Sequence, residues 1–165
     1  ASAMVSSISI LYTKMAVVVS LQDPTLQSFI LYSAVLALKI LFVTLLTAIK
    51  RITKGVFLNP EDAAFLKGKV NPNDPEVERV RRAHLNDLEN IPAFWLVGAL
   101  YLTTNPVATW ATLLFRVYTV SRILHTIIYA VVPMPQPTRL VVYGVPYVIT
   151  WYMGLQVVLY YISAI

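Results

Sequence analysis

Arg79, Arg82, Asn86 and Glu89 recur at the spacing of one helical face. At about 100° per residue, the four fall within a stripe about 80° wide. Further along, Arg122, His125 and Tyr129 follow at i, i+3 and i+7, again on one face, and Arg139 precedes Tyr143 by one helical turn. Guanidinium groups hold carboxylates through a two-pronged fork, and a carboxylate such as Glu89 suits an amine. Tyrosine hydroxyls can donate to an anion. These residue types therefore suit a pocket for a small anion that also carries an amine. A second reading of the same residues is internal: an ion-pair network that fastens helices together, in which Glu89 pairs with Arg122. Both readings are open on the residues alone.

The elements that would carry these groups are set by where the charges fall. The chain has 165 residues, of which 58% are hydrophobic and 13% charged. Soluble domains run at about 45–50% and about 25%. A mean hydropathy of +0.68 excludes a disordered tail, a collagen-like chain and an ordinary cytosolic domain. It implies a small polytopic membrane protein. Eight of the thirteen basic residues and seven of the eight acids lie between residues 50 and 90, so the net charge of +5 is not spread over a nucleic-acid-binding face. No nucleic-acid partner is expected. With no cysteine, disulfides, thiolate metal sites and a cysteine nucleophile are excluded. Two histidines do not make a metal cage, and no metal is expected.

Long apolar runs flank the charged segment. Helix lengths matched to a ~30 Å hydrocarbon core predict an all-α integral membrane protein with a four-transmembrane-helix bundle. The helices are expected at about 26–49, 76–103, 107–132 and 139–164, with a water-facing loop at about 50–75. Asn105-Pro106 marks one turn, and Pro133, Pro135 and Pro137 end the third helix. Pro146 is expected to kink the fourth. Residues 1–25 are read as a leader or a short interfacial segment, and 26–165 as the membrane domain. Basic residues after the first helix and before the fourth place both of those loops in the cytosol. Lys39, Arg116, Arg122 and Arg139 fall in or beside membrane runs, where a central cation costs about 2.5–3.5 kcal/mol. Snorkelling towards the interface would relieve some of them. The third and fourth helices hold no carboxylate, so an acidic partner must come from the second helix or from a ligand.

Four blocks carry a family resemblance. The run Val77–Ile91, reading VERVRRAHLNDLENI, resembles the signature stretch of the MAPEG family, the membrane-associated proteins of eicosanoid and glutathione metabolism. Val56–Asp62 is similar to the family's loop block, Arg122–Tyr129 to its third-helix block, and Pro135–Arg139 to its entry into the fourth helix. The resemblance runs from about residue 28 to the end, and its wording is most like the family's glutathione transferase branch. It implies a homotrimer in the endoplasmic reticulum membrane or the mitochondrial outer membrane, in contact with membrane lipid. Glutathione, as co-substrate, would lie between subunits near the cytosolic face. The residues expected to bind it are Arg51, Arg81, Arg82, His84, Asn86, Glu89, Arg122, His125, Tyr129 and Tyr143. Arg139 and Tyr129 are the expected catalytic pair. The implied activity is thiolate activation of glutathione and its conjugation to lipophilic electrophiles, with reduction of lipid hydroperoxides alongside. The alternatives are a glutathione-dependent prostaglandin E synthase-like isomerase and a non-catalytic lipid-binding scaffold. Ala63 stands where the transferase branch has a cysteine. Leu85 and Leu140 stand where the prostaglandin synthase branch has an arginine and a serine.

Overall fold

The computed structural model describes residues 22–163, and the described chain is mostly helical. Residues 1–21, which hold most of the expected leader, lie outside the described residues, as do 164 and 165. The elements are α1 (Pro24–Lys54), β1 (Val56–Phe57), α2 (Pro60–Phe65), β2 (Lys69–Val70), α3 (Pro75–Leu102), α4 (Ala108–Thr126) and α5 (Thr138–Ile162). A single π-helical turn, Ile127–Val131, extends α4.

The starts of α1 and α3 share one local code. Asp23 and Asp74 cap the helices, each followed by a proline at the first helical position. The Asp23 carboxylate accepts from the Thr25 N–H at 2.9 Å, and Asp74 accepts from Glu76 and Val77 at 3.1 and 3.2 Å. An acceptor at this position satisfies N–H groups that the helix leaves free, and proline removes one of them. The Val77 N–H, the Glu76 N–H and Lys54 together hold the Asp74 carboxyl below its ordinary range. Gly55 ends α1 in the left-handed conformation, at φ 60°, where a side chain would be strained.

The segment expected as a loop at 50–75 is more structured than that. Its first turn belongs to α1, which continues to Lys54. The remainder holds α2 and a parallel pairing of β1 with β2, in register Val56 with Lys69 and Phe57 with Val70. Gly68 passes so close to the Phe57 ring and the Gly55 carbonyl that a Cβ there would lie 2.4 and 2.5 Å from them. Lys54 then reaches Glu76 at 2.5 Å and ties the end of α1 to the start of α3.

α1 packs on α3 and α4, and α5 packs on the other side of α3 and α4. The core between them is aromatic. Phe94 stacks on Tyr118 at 3.8 Å, and Phe29 and Phe115 close around them, with Leu36, Ile91, Ile149 and Met153 filling the layer. Gly98 lets α1 approach, because a Cβ there would meet the Phe29 ring at 2.6 Å. α3 runs through Pro92 and α5 through Pro146. The outer faces are apolar rather than polar: Leu38, Leu41, Trp151 and Val148 are all well exposed. α1 and α5 are long and apolar enough to cross a membrane.

The deepest charges form one network. Asp87 on α3 pairs with Lys39 on α1 and with Arg122 on α4, and both Asp87 and Arg122 are fully buried. This corrects the expected pairing of Arg122 with Glu89, which faces outward. It also corrects snorkelling for Lys39, which turns inward to its carboxylate. Arg116 is exposed and donates to the Tyr32 hydroxyl at 2.8 Å.

Removing one partner from a buried ion pair strands the remaining charge at a cost of about 3–5 kcal/mol. Asp87→Leu is therefore expected to destabilise the folded protein by that order, measured as a lower midpoint of denaturation in detergent. The neutral triple variant Lys39→Met, Asp87→Leu, Arg122→Met is expected to regain most of the loss. A triple variant no more stable than Asp87→Leu would show that stranded charge is not the cause.

Candidate functional site

A cavity of ≈ 490 Å³ opens where α3, the end of α4 and the start of α5 meet. α3 contributes Arg82, Leu85, Asn86 and Glu89 to its wall. These positions are i, i+3, i+4 and i+7, so one helical face supplies all of them. His125 and Tyr129 come from the end of α4 and its π turn. Single π turns often occur at functional sites, and this one sets the angle at which Tyr129 leaves the helix. Three prolines end the run and turn the chain into α5, through a cis bond between Gln136 and Pro137. The Gln136 side chain then accepts the Leu140 N–H at 3.1 Å, satisfying a donor in the first turn of α5. Arg139, Leu140 and Tyr143 of that turn complete the wall.

Tyr129 is the centre of this arrangement. Arg82 Nε lies 3.4 Å from its hydroxyl. The Arg139 guanidinium sits 5.9 Å from its ring centroid, within cation–π range. The His125 ring stacks on it at 5.4 Å, with 14° between the planes. Arg139 Nε is buried without a hydrogen-bond partner among the described residues. Two guanidinium groups and one carboxylate, Glu89, thus share the wall with two phenols, an imidazole and two carboxamides. Such a wall can receive carboxylates and an amine at once, and a developing negative charge near Arg139 would be stabilised.

Arg122 does not line the cavity. It lies behind the wall, where it donates to Asn86 Oδ1 at 2.9 Å as well as to Asp87. The oxygen of Asn86 is therefore occupied, which leaves the amide NH₂ as its free end. Of the other residues expected at the site, Arg51 is half-buried at the end of α1, with one terminal nitrogen lacking a partner. Arg81 is exposed and pairs with Glu78 at 2.9 Å. His84 Nε2 lies 3.3 Å from Thr44 Oγ1 on α1. None of these three lines this cavity. Arg79, placed on the same stripe as Arg82 from its spacing, lines a separate ≈ 160 Å³ cavity with Lys50 and Glu76.

Three lining residues are not among those expected at the site, Leu85, Gln136 and Leu140, and the two leucines escape any reading based on charge and hydrogen bonding. The positional signal for Leu85 is present, since it stands three residues after Arg82 and four before Glu89. Its apolar type hides it. Leu85 and Leu140 are 42% and 63% exposed, so both leave an apolar surface beside the charged groups.

The match to known proteins covers most of the chain. Residues 29–159 match the model of the MAPEG family. Microsomal glutathione S-transferase 1 of Mus musculus is 43% identical over 81% of this chain and 89% of that protein. The Homo sapiens protein of the same name is 42% identical over the same shares. Prostaglandin E synthase of Homo sapiens is 36% identical over 83% of this chain and 90% of that protein. With a family model spanning this much of the sequence, and relatives this similar along nearly their whole length, the chain belongs to the MAPEG family.

Proposed function

We propose that this protein is a membrane-bound glutathione transferase that activates glutathione as a thiolate and conjugates it to lipophilic electrophiles. Glutathione is its co-substrate. The observation that carries the reading is the Tyr129-centred cavity, with Arg82, Arg139 and Glu89 in one wall, in a chain similar to microsomal glutathione S-transferase 1 along most of its length. Glutathione has two carboxylates and one amine. Arg82 and the Asn86 amide would receive a carboxylate, and Glu89 the amine. An ordinary thiol has a pKa near 8.5, and only its thiolate is a good nucleophile. Arg139, with one guanidinium nitrogen lacking a partner, is the group we assign to favouring that anion. Tyr129 and Tyr143 would donate to the sulfur. With an aryl halide, the C–S bond forms, the halide leaves and the thiol proton passes to solvent. With a lipid hydroperoxide, two glutathione thiols are oxidised to the disulfide while the hydroperoxide becomes an alcohol and water.

The reading extends to the assembly. α1, α3, α4 and α5 would each cross the bilayer, forming one domain from residue 26 onward, with the cavity towards the cytosol. Three copies would associate in the endoplasmic reticulum membrane or the mitochondrial outer membrane. Arg51, Arg81 and His84 lie away from the cavity of their own chain, and a site shared between copies would give them a ligand to meet. The isomerase reading is weaker. The prostaglandin E synthases are less similar, and Leu85 and Leu140 place hydrocarbon in the cavity wall.

Glu89→Gln is expected to raise the dissociation constant for glutathione about tenfold or more, the loss of a charge-assisted contact of roughly 1.5–3 kcal/mol. Isothermal titration on the folded variant checks it, and unchanged binding sinks the assignment of Glu89 to the amine. Arg139→Leu separates activation from binding. The absorbance of bound thiolate is expected to titrate at higher pH and turnover to fall, with a smaller effect on affinity. One pKa unit corresponds to about 1.36 kcal/mol, well within reach of such a titration. Thiolate formation at the wild-type pH in the folded variant would remove Arg139 from the mechanism and leave Tyr129 as the next candidate. Maleimide treatment followed by removal of the reagent is expected to leave the rate of conjugation unchanged, because the chain has no cysteine and Ala63 is buried in α2. A reproducible rise in rate would point to another modified group.

A further inference from the structure

The end of the molecule remote from Tyr129 has a second cavity, of ≈ 610 Å³, between the α3–α4 turn and the last turns of α5. Asn105, Trp110, Tyr152, Gln156 and Tyr160 are in its wall, which contains no charged residue. The Trp110 indole N–H already donates to the Tyr152 hydroxyl at 3.1 Å, and the Tyr161 hydroxyl to Thr103 Oγ1 nearby at 2.8 Å. The side-chain amides of Asn105 and Gln156 have no hydrogen-bond partner among the described residues. Gln156 is half-buried on α5, in a second half of that helix with no charge and no other carboxamide. An amide so placed is stabilised when an acceptor reaches it, and the acceptor need carry no charge.

Trp110 also lines an apolar groove of ≈ 550 Å³ between α4 and α5. Leu113 and Val117 form its α4 side, and Val141, Gly144 and Val148 its α5 side. A methyl group added at Gly144 would meet no atom within 4 Å, so space continues through that point. From Gln156 to Val141 the fifteen helical steps span about 22 Å, more than half of a ~30 Å hydrocarbon core. Cavity and groove, which share Trp110, together have the length of an acyl chain in one leaflet, and the cavity offers uncharged hydrogen-bond donors.

We propose that this cavity and groove together form a lipid site, in which Asn105 and Gln156 donate to the ester carbonyls of a diacyl glycerolipid and one acyl chain lies between α4 and α5. A phosphate-directed site would call for arginine or lysine in the wall, and there is none. The exposed outer face of the chain, with Leu38, Leu41, Val148 and Trp151, is hydrocarbon, so a second copy seated in the groove would match the groove and not the amides. The aromatic residues at the same level are those that favour the bilayer interface.

The test uses the full-length protein, stripped of lipid and exposed to diacyl phosphatidylcholine or to its dialkyl ether analogue, which has the same headgroup and chains but no carbonyls. Native mass spectrometry then counts retained lipid. Wild type is expected to retain the ester lipid about tenfold better than the ether, as the loss of two neutral hydrogen bonds implies. Gln156→Leu is expected to erase most of that preference. Gly144→Leu is expected to reduce retention of both lipids, with glutathione binding at the other end unchanged. On wild type itself, a diazirine-bearing acyl chain is expected to label Leu113, Val117 and Val145, which settles occupancy even if Gly144→Leu folds poorly. Equal retention of ester and ether lipids would overturn the proposal and leave only a non-specific acyl belt. So would labelling that avoids the groove, or cross-links from Leu113 to a second copy.

Discussion

Asp87 is a carboxylate with no access to solvent, and it receives a lysine from α1 and an arginine from α4 while standing on α3. Its pairing joins three helices at one point. In an apolar interior neither cation could stay charged alone, so each holds its helix in the one register that reaches the carboxylate. The same contact extends to the cavity. Arg122 turns towards Asp87, and from there its terminal nitrogen fixes the oxygen of Asn86. The orientation of a group in the cavity wall is thus set by a charge that never touches the cavity.

The rest of the molecule divides along its length. Near the Tyr129 cavity, arginines, a carboxylate and phenols are held by short local devices: the π turn, the proline connection and the Gln136 side chain on the first turn of α5. In the cavity at the other end the polar groups are amides, hydroxyls and aromatics without charge. Between the ends, the interior is an aromatic layer and the exterior is hydrocarbon. Of the two cavities, the Tyr129 cavity combines amides and phenols with charge, and the other has amides and phenols alone.

Much of this was legible in the residues because helices impose a period. The grouping of Arg82, Asn86 and Glu89 follows from spacing alone, and so does that of His125 with Tyr129. Spacing gives the face of a helix but not the depth of a residue on it. Asp87 and Glu89 are two residues apart, and nothing in their types says that one is sealed inside and the other exposed. The choice depends on Lys39 and Arg122 arriving from other helices, which is long-range information. Arg79 shares the stripe yet sits above the cavity, because a stripe has length as well as width. The two short strands and α2 between residues 55 and 71 are too brief to show any period. Leu85 and Leu140 were recognisable as departures from one branch of the family, but their place in the wall depends on the angle between α3 and α5.

The π turn makes the number of residues between His125 and Pro133 a matter of consequence. A π turn holds one residue more than an α turn, so this segment contains a position that a regular helix would not accommodate. Deleting any one of Ile127, Ile128 or Ala130 would let the segment close as an ordinary α turn, with the chain after it nearly in place, because the π turn already absorbs the extra residue. Loss of Ile127 or Ile128 would bring Tyr129 from four residues after His125 to three, and the stack of the two rings would shift by a helical step. Ile127 and Ile128 can therefore exchange for other apolar types, while deletion of either would move Tyr129 relative to His125 without touching any residue that lines the cavity.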